Sequence, residues 1–457
     1  MPAAPRPRRP RAPARAFASP PAPAPAPAPA RRCAYTVLRR VFEQGAYADR
    51  ALAAEAAALP ARDRALAMRL AYGAVQRAGT LDHLLARLAE RPADALDPPL
   101  LAALRLGLFE LLYLRGAPDY AVVADAVELA KGGARAGHGL VNAVLRRAAR
   151  EGAPALLGEL REDTPAAAAV KHSHPEWIAR LWWQALGAEH ACALMAADNE
   201  PLEVALRANT LLTDARALAR ELPVRTHLDA AIPEAVVLEE AFDAHASPLW
   251  QRGAFHAQSR AAMLVARALA PEPRERVLDL CAAPGGKTTH LAALMRAEGE
   301  VLAVERNRRR AGALARTARR LHAENVQVQV ADAEAPRSEG AVYDRVLVDP
   351  PCSGLGTLQA RADLRWRVTP DAVRQLAGTQ ARILAAGAHA VRPGGVLVYS
   401  TCTISPTENE HLISDFLESH PEFELDGPGA GDPPQPLLTL PHRDRTAGFF
   451  IARLRRT

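Results

Sequence analysis

Hydrophobic and polar positions change rhythm twice along the chain. Between residues 31 and about 150 the apolar residues recur at helical spacing. Ala34, Val37, Leu38 and Val41 share one face, and residues 63–73, 81–85, 100–114, 120–130 and 140–149 continue the pattern. Gly116 and Pro118 close the apolar run at 100–114. This predicts an all-α bundle over 31–152 with no catalytic constellation inside it; His83 and His138 have no partners at useful spacing. Over 160–250 the pattern is mixed. Pro175, Glu176, Trp177 and Ile178, with Trp182 and Trp183, open a helix that must bury large aromatics. Residues 204–209 and 236–238 read as short strands, with a helix after a cap at Thr213. A small α+β connector follows. From 251 onward short apolar runs alternate with helical segments. Strands are predicted at 276–280, 301–305, 326–330, 346–349, 396–399 and 449–454. Over 251–457 this is a Rossmann-like, doubly wound α/β domain, whose crevice lies at the carboxyl ends of its strands. The fold class is therefore multidomain, α followed by α/β.

Residues 1–30 fit none of these rhythms. They are almost wholly Pro, Ala and Arg, and the first acidic residue of the chain is Glu43. Such a segment buries too little apolar surface to order itself, so a disordered, extended basic tail is expected. A solvated extension is favoured over an RNA-binding arm. The whole chain of 457 residues carries a net charge of +6, which suits a polyanionic partner. Lysine occurs only at Lys131, Lys171 and Lys287, so the richness in arginine is partly a compositional bias. The five cysteines are scattered, odd in number and free of metal-site spacing. A reduced cytoplasmic compartment and no metal are expected. No apolar run is long enough for a membrane span, and no heptad pattern argues against a monomer.

Chemistry concentrates where strands end. After the first strand comes Cys281-Ala282-Ala283-Pro284-Gly285-Gly286-Lys287-Thr288, then a helix. Its glycines admit a ligand close to the backbone, and the helix N-terminus offers free N–H groups. A phosphate loop would need glycine where Cys281 stands, and the Gly-x-Gly-x-x-Gly signature is absent, so NTPase and dinucleotide readings are disfavoured. Glu305 ends the second strand, Asp332 follows the third and Asp349 ends the fourth. A carboxylate at Glu305 suits two ribose hydroxyls, and one at Asp332 suits an adenine amino group. The set points to an adenosyl cofactor without phosphate, S-adenosylmethionine. Two thiols, Cys352 after Asp349-Pro350-Pro351 and Cys402 after Ser400-Thr401, follow separate strands and are expected to meet over one substrate. Cys33, Cys192 and Cys281 read as small buried hydrophobes.

Two resemblances sharpen these expectations. The bundle resembles the NusB family of RNA-binding helical domains at residues 63–65, 72–73, 108–113, 127–131 and 139–146, with Asn142 and Arg146 on one helix face. Residues 251–457 resemble the RNA 5-cytosine methyltransferase superfamily in the loop 281–288, the runs 349–354 and 400–402, the Glu408-Asn409-Glu410 run and the terminal strand at 448–450. The combined architecture is similar to bacterial 16S ribosomal RNA cytosine-5 methyltransferases of the RsmB type. Members commonly carry Asp at the position of Glu305 and Ser at that of Thr403. The resemblance implies that Cys402 attacks cytosine C6, Cys352 assists breakdown of the adduct, Asp349 in protonated form hydrogen-bonds ring N3, and Lys287 supports the electrostatics. It implies a cofactor site made from Cys281, Ala282, Ala283, Pro284, Gly285, Gly286, Lys287, Glu305, Asp332 and Asp349. Arg361, Arg365, Trp366 and Arg367 offer charge and stacking to RNA, against a packed Trp366 among solvated arginines. Transfer RNA as substrate, and a non-catalytic assembly factor, are the competing readings. A DNA methyltransferase would leave Cys402 unexplained.

Overall fold

The computed structural model describes residues 26–457 except 135, 202, 336–339 and 428–433; residues 1–25 of the expected tail lie outside the described residues. Seven helices form the N-terminal bundle: α1 (Pro29–Gln44), α2 (Ala48–Glu55), α3 (Ala61–Gln76), α4 (Ala78–Ala89), α5 (Pro98–Tyr113), α6 (Asp119–Gly133) and α7 (His138–Glu151). The first begins two residues ahead of the expected boundary. α5 is the central helix and is buried nearly all round. Its contact with α3 depends on a missing side chain: a Cβ on Gly73 would lie 2.0 Å from Cζ of Phe109. Arg31 ties the bundle's entry to α5 and α6, donating to both carboxylate oxygens of Glu110 and, at 2.8 Å, to Asp125.

The connector contains the helices Pro165–His172, Glu176–Leu186 and Ala188–Ala197 and an antiparallel sheet. Its strands are β1 (Val204–Ala208), β2 (Thr226–Leu228), β3 (Ala235–Leu238) and β4 (Phe255–Ala257), in the order β2-β3-β1-β4. β4 pairs with β1 although it lies beyond residue 250. The helix after β1 spans Ala215–Glu221 and is capped by Asp214, one residue later than Thr213; Ala217 N–H donates to its carboxylate at 2.8 Å. Trp182 is fully buried, and its indole N–H donates to the carbonyl of Ile404 at 2.9 Å.

The remaining strands are β5 (Arg276–Leu280), β6 (Glu300–Val304), β7 (Val326–Gln329), β8 (Tyr343–Val348), β9 (Val391–Thr401), β10 (Phe423–Leu425), β11 (Leu437–Thr439) and β12 (Phe449–Arg456). They form one sheet in the order β10-β12-β9-β8-β5-β6-β7, with β11 pairing β12. β5 to β9 are mutually parallel; β12 runs antiparallel to β9, and β10 and β11 each pair antiparallel with β12. The continuous apolar runs follow from burial on both faces. Leu278, Val346, Val348, Leu397 and Tyr399 point toward helices Pro370–Ala390 and Glu410–Ser419. Their neighbours Val277, Leu347, Val396 and Val398 point toward helices Arg260–Leu269 and Gly286–Leu294. No helix among the described residues is long and apolar enough to cross a membrane.

The segment Ala362–Trp366 corrects one expectation. Arg365 is fully buried and donates to the carbonyls of Ser173 and Asp198, at 3.0 and 3.2 Å, and to Asn199 Oδ1 at 3.0 Å. The Trp366 indole donates to Val75 O at 2.8 Å, and its ring packs against the bundle core. Arg367 donates to Gly45 O at 2.8 Å and lies over the Tyr47 ring. These three side chains are engaged in contacts that join domains; of the four, Arg361 alone is exposed.

Candidate active site

Sheet order builds the site. β8 lies between β5 and β9, and the register pairs Leu280 with Val348 and Val348 with Tyr399. The next residue of each strand therefore stands level with the other two: Cys281, Asp349 and Ser400. Lys287, in the first turn of the helix after the glycines, reaches Asp349 Oδ2 at 2.8 Å. The Ser400 hydroxyl donates to Asp349 Oδ1 at 2.9 Å. Asp349 thus accepts on both oxygens, from Lys287 on one side and Ser400 on the other. Burial opposes the charge on Lys287, but the Asp349 carboxylate outweighs it and raises the ammonium pKa.

Beyond Asp349 the chain turns through Pro350 and Pro351, and beyond β9 it turns at Cys402. The two turns bring Cys352 Sγ to 3.4 Å from Cys402 Sγ. The two thiols are coupled and shift in opposite directions. Cys402 is held below the ordinary thiol value, first by the hydrogen bond from Cys352 and then by Lys287 and Arg361, against burial and Asp349. Cys352 is pushed well up by the same hydrogen bond and by burial. Of the two thiols, Cys402 is therefore the one that ionises more readily. Cys281, buried and facing Asp349, Asp279 and Glu305, is pushed up to about 12 and stays a thiol.

A buried polar network that sequence reasoning missed holds the two turns together. Glu408 is fully buried and accepts from Ser353 N–H at 2.8 Å, from the Ser353 hydroxyl and from Gln380 at 2.9 Å. Gln380 also donates to Pro351 O at 3.0 Å. Ser353 Oγ meets Thr403 Oγ1 at 2.6 Å, and Asn409 donates to Thr403 O at 3.0 Å. The Glu408-Asn409-Glu410 run was the visible signal, without a role attached. Gln380 lies inside a helix and carried none.

The other candidate cofactor residues line the same edge of the sheet. Gly285 has φ of 101°, and a Cβ there would strike Leu314 at 2.5 Å, so the loop closes only with glycine. Thr288 Oγ1 donates at 2.6 Å to buried Asp279, whose acid is pushed up to about 7 by burial. Glu305 is 3% exposed and lies beyond the end of β6; it accepts the Asn307 N–H at 2.9 Å and faces Arg310 at 3.5 Å. Arg310 also donates to Ala283 O at 2.8 Å, joining the acid to the loop. Asp332 is exposed and accepts the Glu334 N–H at 3.0 Å. A second missed residue supports the loop from behind: buried Arg207 of β1 donates to Gly286 O at 2.5 Å and to Thr289 Oγ1 at 3.0 Å. An adenosyl group fits this edge, because Glu305 and Asp332 offer acceptors for hydroxyl and amino groups, while Lys287 and Arg310 are each engaged with an acid. Elsewhere, Glu162, His172 and Cys192 cluster within 4.8 Å, but Lys171 sits 3.0 Å from the Glu162 oxygen that His172 also approaches, so the cluster is an ion-pair group.

Comparison with known proteins agrees with this architecture. The family model described as 16S rRNA methyltransferase RsmB/F matches residues 266–455, that of the NusB family residues 28–150, and that of the RsmF/B-like ferredoxin-like domain residues 174–245. A probable ribosomal RNA small subunit methyltransferase B of Synechocystis is 36% identical, over 93% of this chain and 99% of that protein. The ribosomal RNA small subunit methyltransferase B of Thermus thermophilus is 37% identical over 87% and 90%. The crystal structure of PH0851 superposes with a TM-score of 0.77 at 26% identity, covering 93% of this chain and 98% of that one. A methyltransferase homologue from Pyrococcus horikoshii superposes with a TM-score of 0.57 at 28% identity over 65% of this chain and all of that one. With a NusB domain, a ferredoxin-like connector and a catalytic sheet in one chain, this protein belongs to the RsmB/F family of S-adenosylmethionine-dependent ribosomal RNA methyltransferases.

Proposed function

We propose that the chain methylates carbon 5 of a cytosine in 16S ribosomal RNA through a transient Cys402–cytosine adduct. The observation that carries the reading is the 3.4 Å approach of the two sulfurs, with Cys402 the more readily ionised of the pair. Cytosine C5 is a weak nucleophile. Addition of the Cys402 thiolate to C6 makes an enamine, whose C5 can accept a methyl cation. S-adenosylmethionine supplies that methyl group, and Glu305, Asp332 and the loop 281–286 would hold it. Asp349, held between Lys287 and Ser400, in protonated form would donate a hydrogen bond to ring N3, and its proton passes toward N3 as addition of Cys402 at C6 builds negative charge there. A base then takes the C5 proton, the C5–H electron pair re-forms the C5–C6 double bond, and Cys402 leaves as thiolate, assisted by Cys352, whose sulfur lies 3.4 Å away. The base must leave its stack to reach this crevice.

The test is substitution of each cysteine with purified 16S ribosomal RNA and cofactor, followed by denaturing electrophoresis. Cys402→Ala is expected to lose methylation and any denaturant-resistant complex. Cys352→Ala is expected to accumulate such a complex. A Cys402→Ala protein that still traps RNA reverses the assignment. Mapping 5-methylcytosine in cellular RNA with and without the protein identifies the substrate: loss at a 16S position supports the reading, and loss confined to transfer RNA overturns it.

A further inference from the structure

The helix Arg308–Arg320, directly after Glu305, differs from the rest of the surface. Seven arginines lie between residues 306 and 320 and no acid does. The buried stripe of the helix is Ala311, Leu314 and Ala318. Opposite it stand Arg309, Arg316 and Arg319, all exposed. Among the described residues none of these three makes an ion pair, as Arg180 does with Glu176 and Arg382 with Glu334, so their charge is left open to solvent. Compositional bias raises the number of arginines, but it does not explain a face from which acids are missing. The helix starts at the edge of the sheet that carries the active site, where Arg310 holds Ala283 O and faces Glu305. From there its arginine face runs about 15 Å away from the crevice. One nucleic-acid strand carries a phosphate about every 3.4 Å of axis, so this face spans several.

We propose that Arg309, Arg316 and Arg319 form an electrostatic docking face for the phosphate backbone of the substrate RNA, outside the catalytic crevice. The inference rests on ribosomal RNA being the substrate. The face reads charge and not sequence, so it sets affinity and orientation while the crevice sets chemistry. None of the three side chains touches the cofactor loop or the thiols, so the methyl-transfer step itself should not depend on them.

The experiment compares wild type, Arg309→Gln/Arg316→Gln/Arg319→Gln, the corresponding triple lysine variant and Arg316→Gln alone, using transcribed 16S ribosomal RNA. Binding is measured across a salt series, alongside KM, kcat and cofactor affinity. Each lost phosphate contact should reduce the slope of log K against log salt by about 0.7 to 0.9, hence by about 2 to 3 in the triple glutamine variant. KM for RNA should rise at least tenfold with kcat and cofactor affinity unchanged. The lysine variant should keep the wild-type slope. Arg316→Gln alone, a change with no polar contact to lose, should show one step of the slope even if the triple variant folds poorly. A single variant whose slope and affinity equal those of wild type, while wild type methylates the RNA, overturns the docking face. A wild type that binds the RNA but forms no 5-methylcytosine in it overturns the proposed function instead.

Discussion

Cys402 reaches a reactive state through its neighbours. A thiol buried beside a carboxylate would ordinarily be harder to ionise. Here the Cys352 hydrogen bond, Lys287 and Arg361 outweigh burial and Asp349, and the net direction is downward. The charged form is the nucleophile, so alkylation of Cys402 should rise with pH to a midpoint below the ordinary thiol value of 9.0. Removing the donor in Cys352→Ala should move that midpoint upward. Removing the cation in Lys287→Met should do the same. Iodoacetamide labelling of Cys402 against pH, read by mass spectrometry, checks all three. An unmoved midpoint in both variants would show that the thiolate owes its stability to something else.

At the scale of elements, catalysis depends on holding two turns in register. Glu408 accepts three hydrogen bonds, two from Ser353 and one from Gln380, and Gln380 also holds Pro351. Glu408→Gln keeps the shape but turns an N–H₂ group toward donors. A buried donor left facing a donor costs about 1 to 3 kcal/mol. The turns should loosen, so kcat is expected to fall at least tenfold while cofactor affinity, set on the other side of Asp349, stays near wild type. Steady-state kinetics with calorimetric cofactor binding separate the two. The sequence made the turns legible, because strands and glycine loops leave local periodicity and composition. It did not reveal Gln380, whose role arises from a helix packed across the sheet, nor Arg207, which reaches the loop from the connector. Nor did it separate Arg365 and Trp366 from an RNA surface: charge and aromaticity look alike whether they face solvent or a neighbouring domain. The antiparallel β10 and β11 are three residues each, too short for a period to emerge.

For the molecule as a whole, the same segment that leaves the Cys352 turn becomes the joint between domains. Arg365 sits where all three parts meet. It donates to Gln76 O of the bundle at 3.4 Å and to Ser173, Asp198 and Asn199 of the connector, from a segment of the catalytic domain. Burial pushes its guanidinium down to about 10, so it remains charged near neutrality; oxygens of carbonyl groups accept from its two Nη groups, while its buried Nε has no partner. Beside it, Ala362 and Trp366 add apolar surface to the bundle core. Helix α3 also approaches the segment through Gln76, whose amide points at Gln359 O at 3.5 Å. An RNA held by the NusB domain would thus be presented to the crevice at a fixed angle. Arg365→Met should remove the donors from two buried and two part-buried acceptors, at about 1 kcal/mol or more for each buried one. The fold of each part has its own core and should survive, but the joint should not. Calorimetry should then show the bundle melting apart from the catalytic domain, where wild type melts as one unit. Methylation of 16S ribosomal RNA should fall sharply while cofactor affinity and the alkylation profile of Cys402 stay at wild-type values. If methylation persists after the transitions separate, the bundle tethers RNA without orienting it, and the buried arginine serves stability alone.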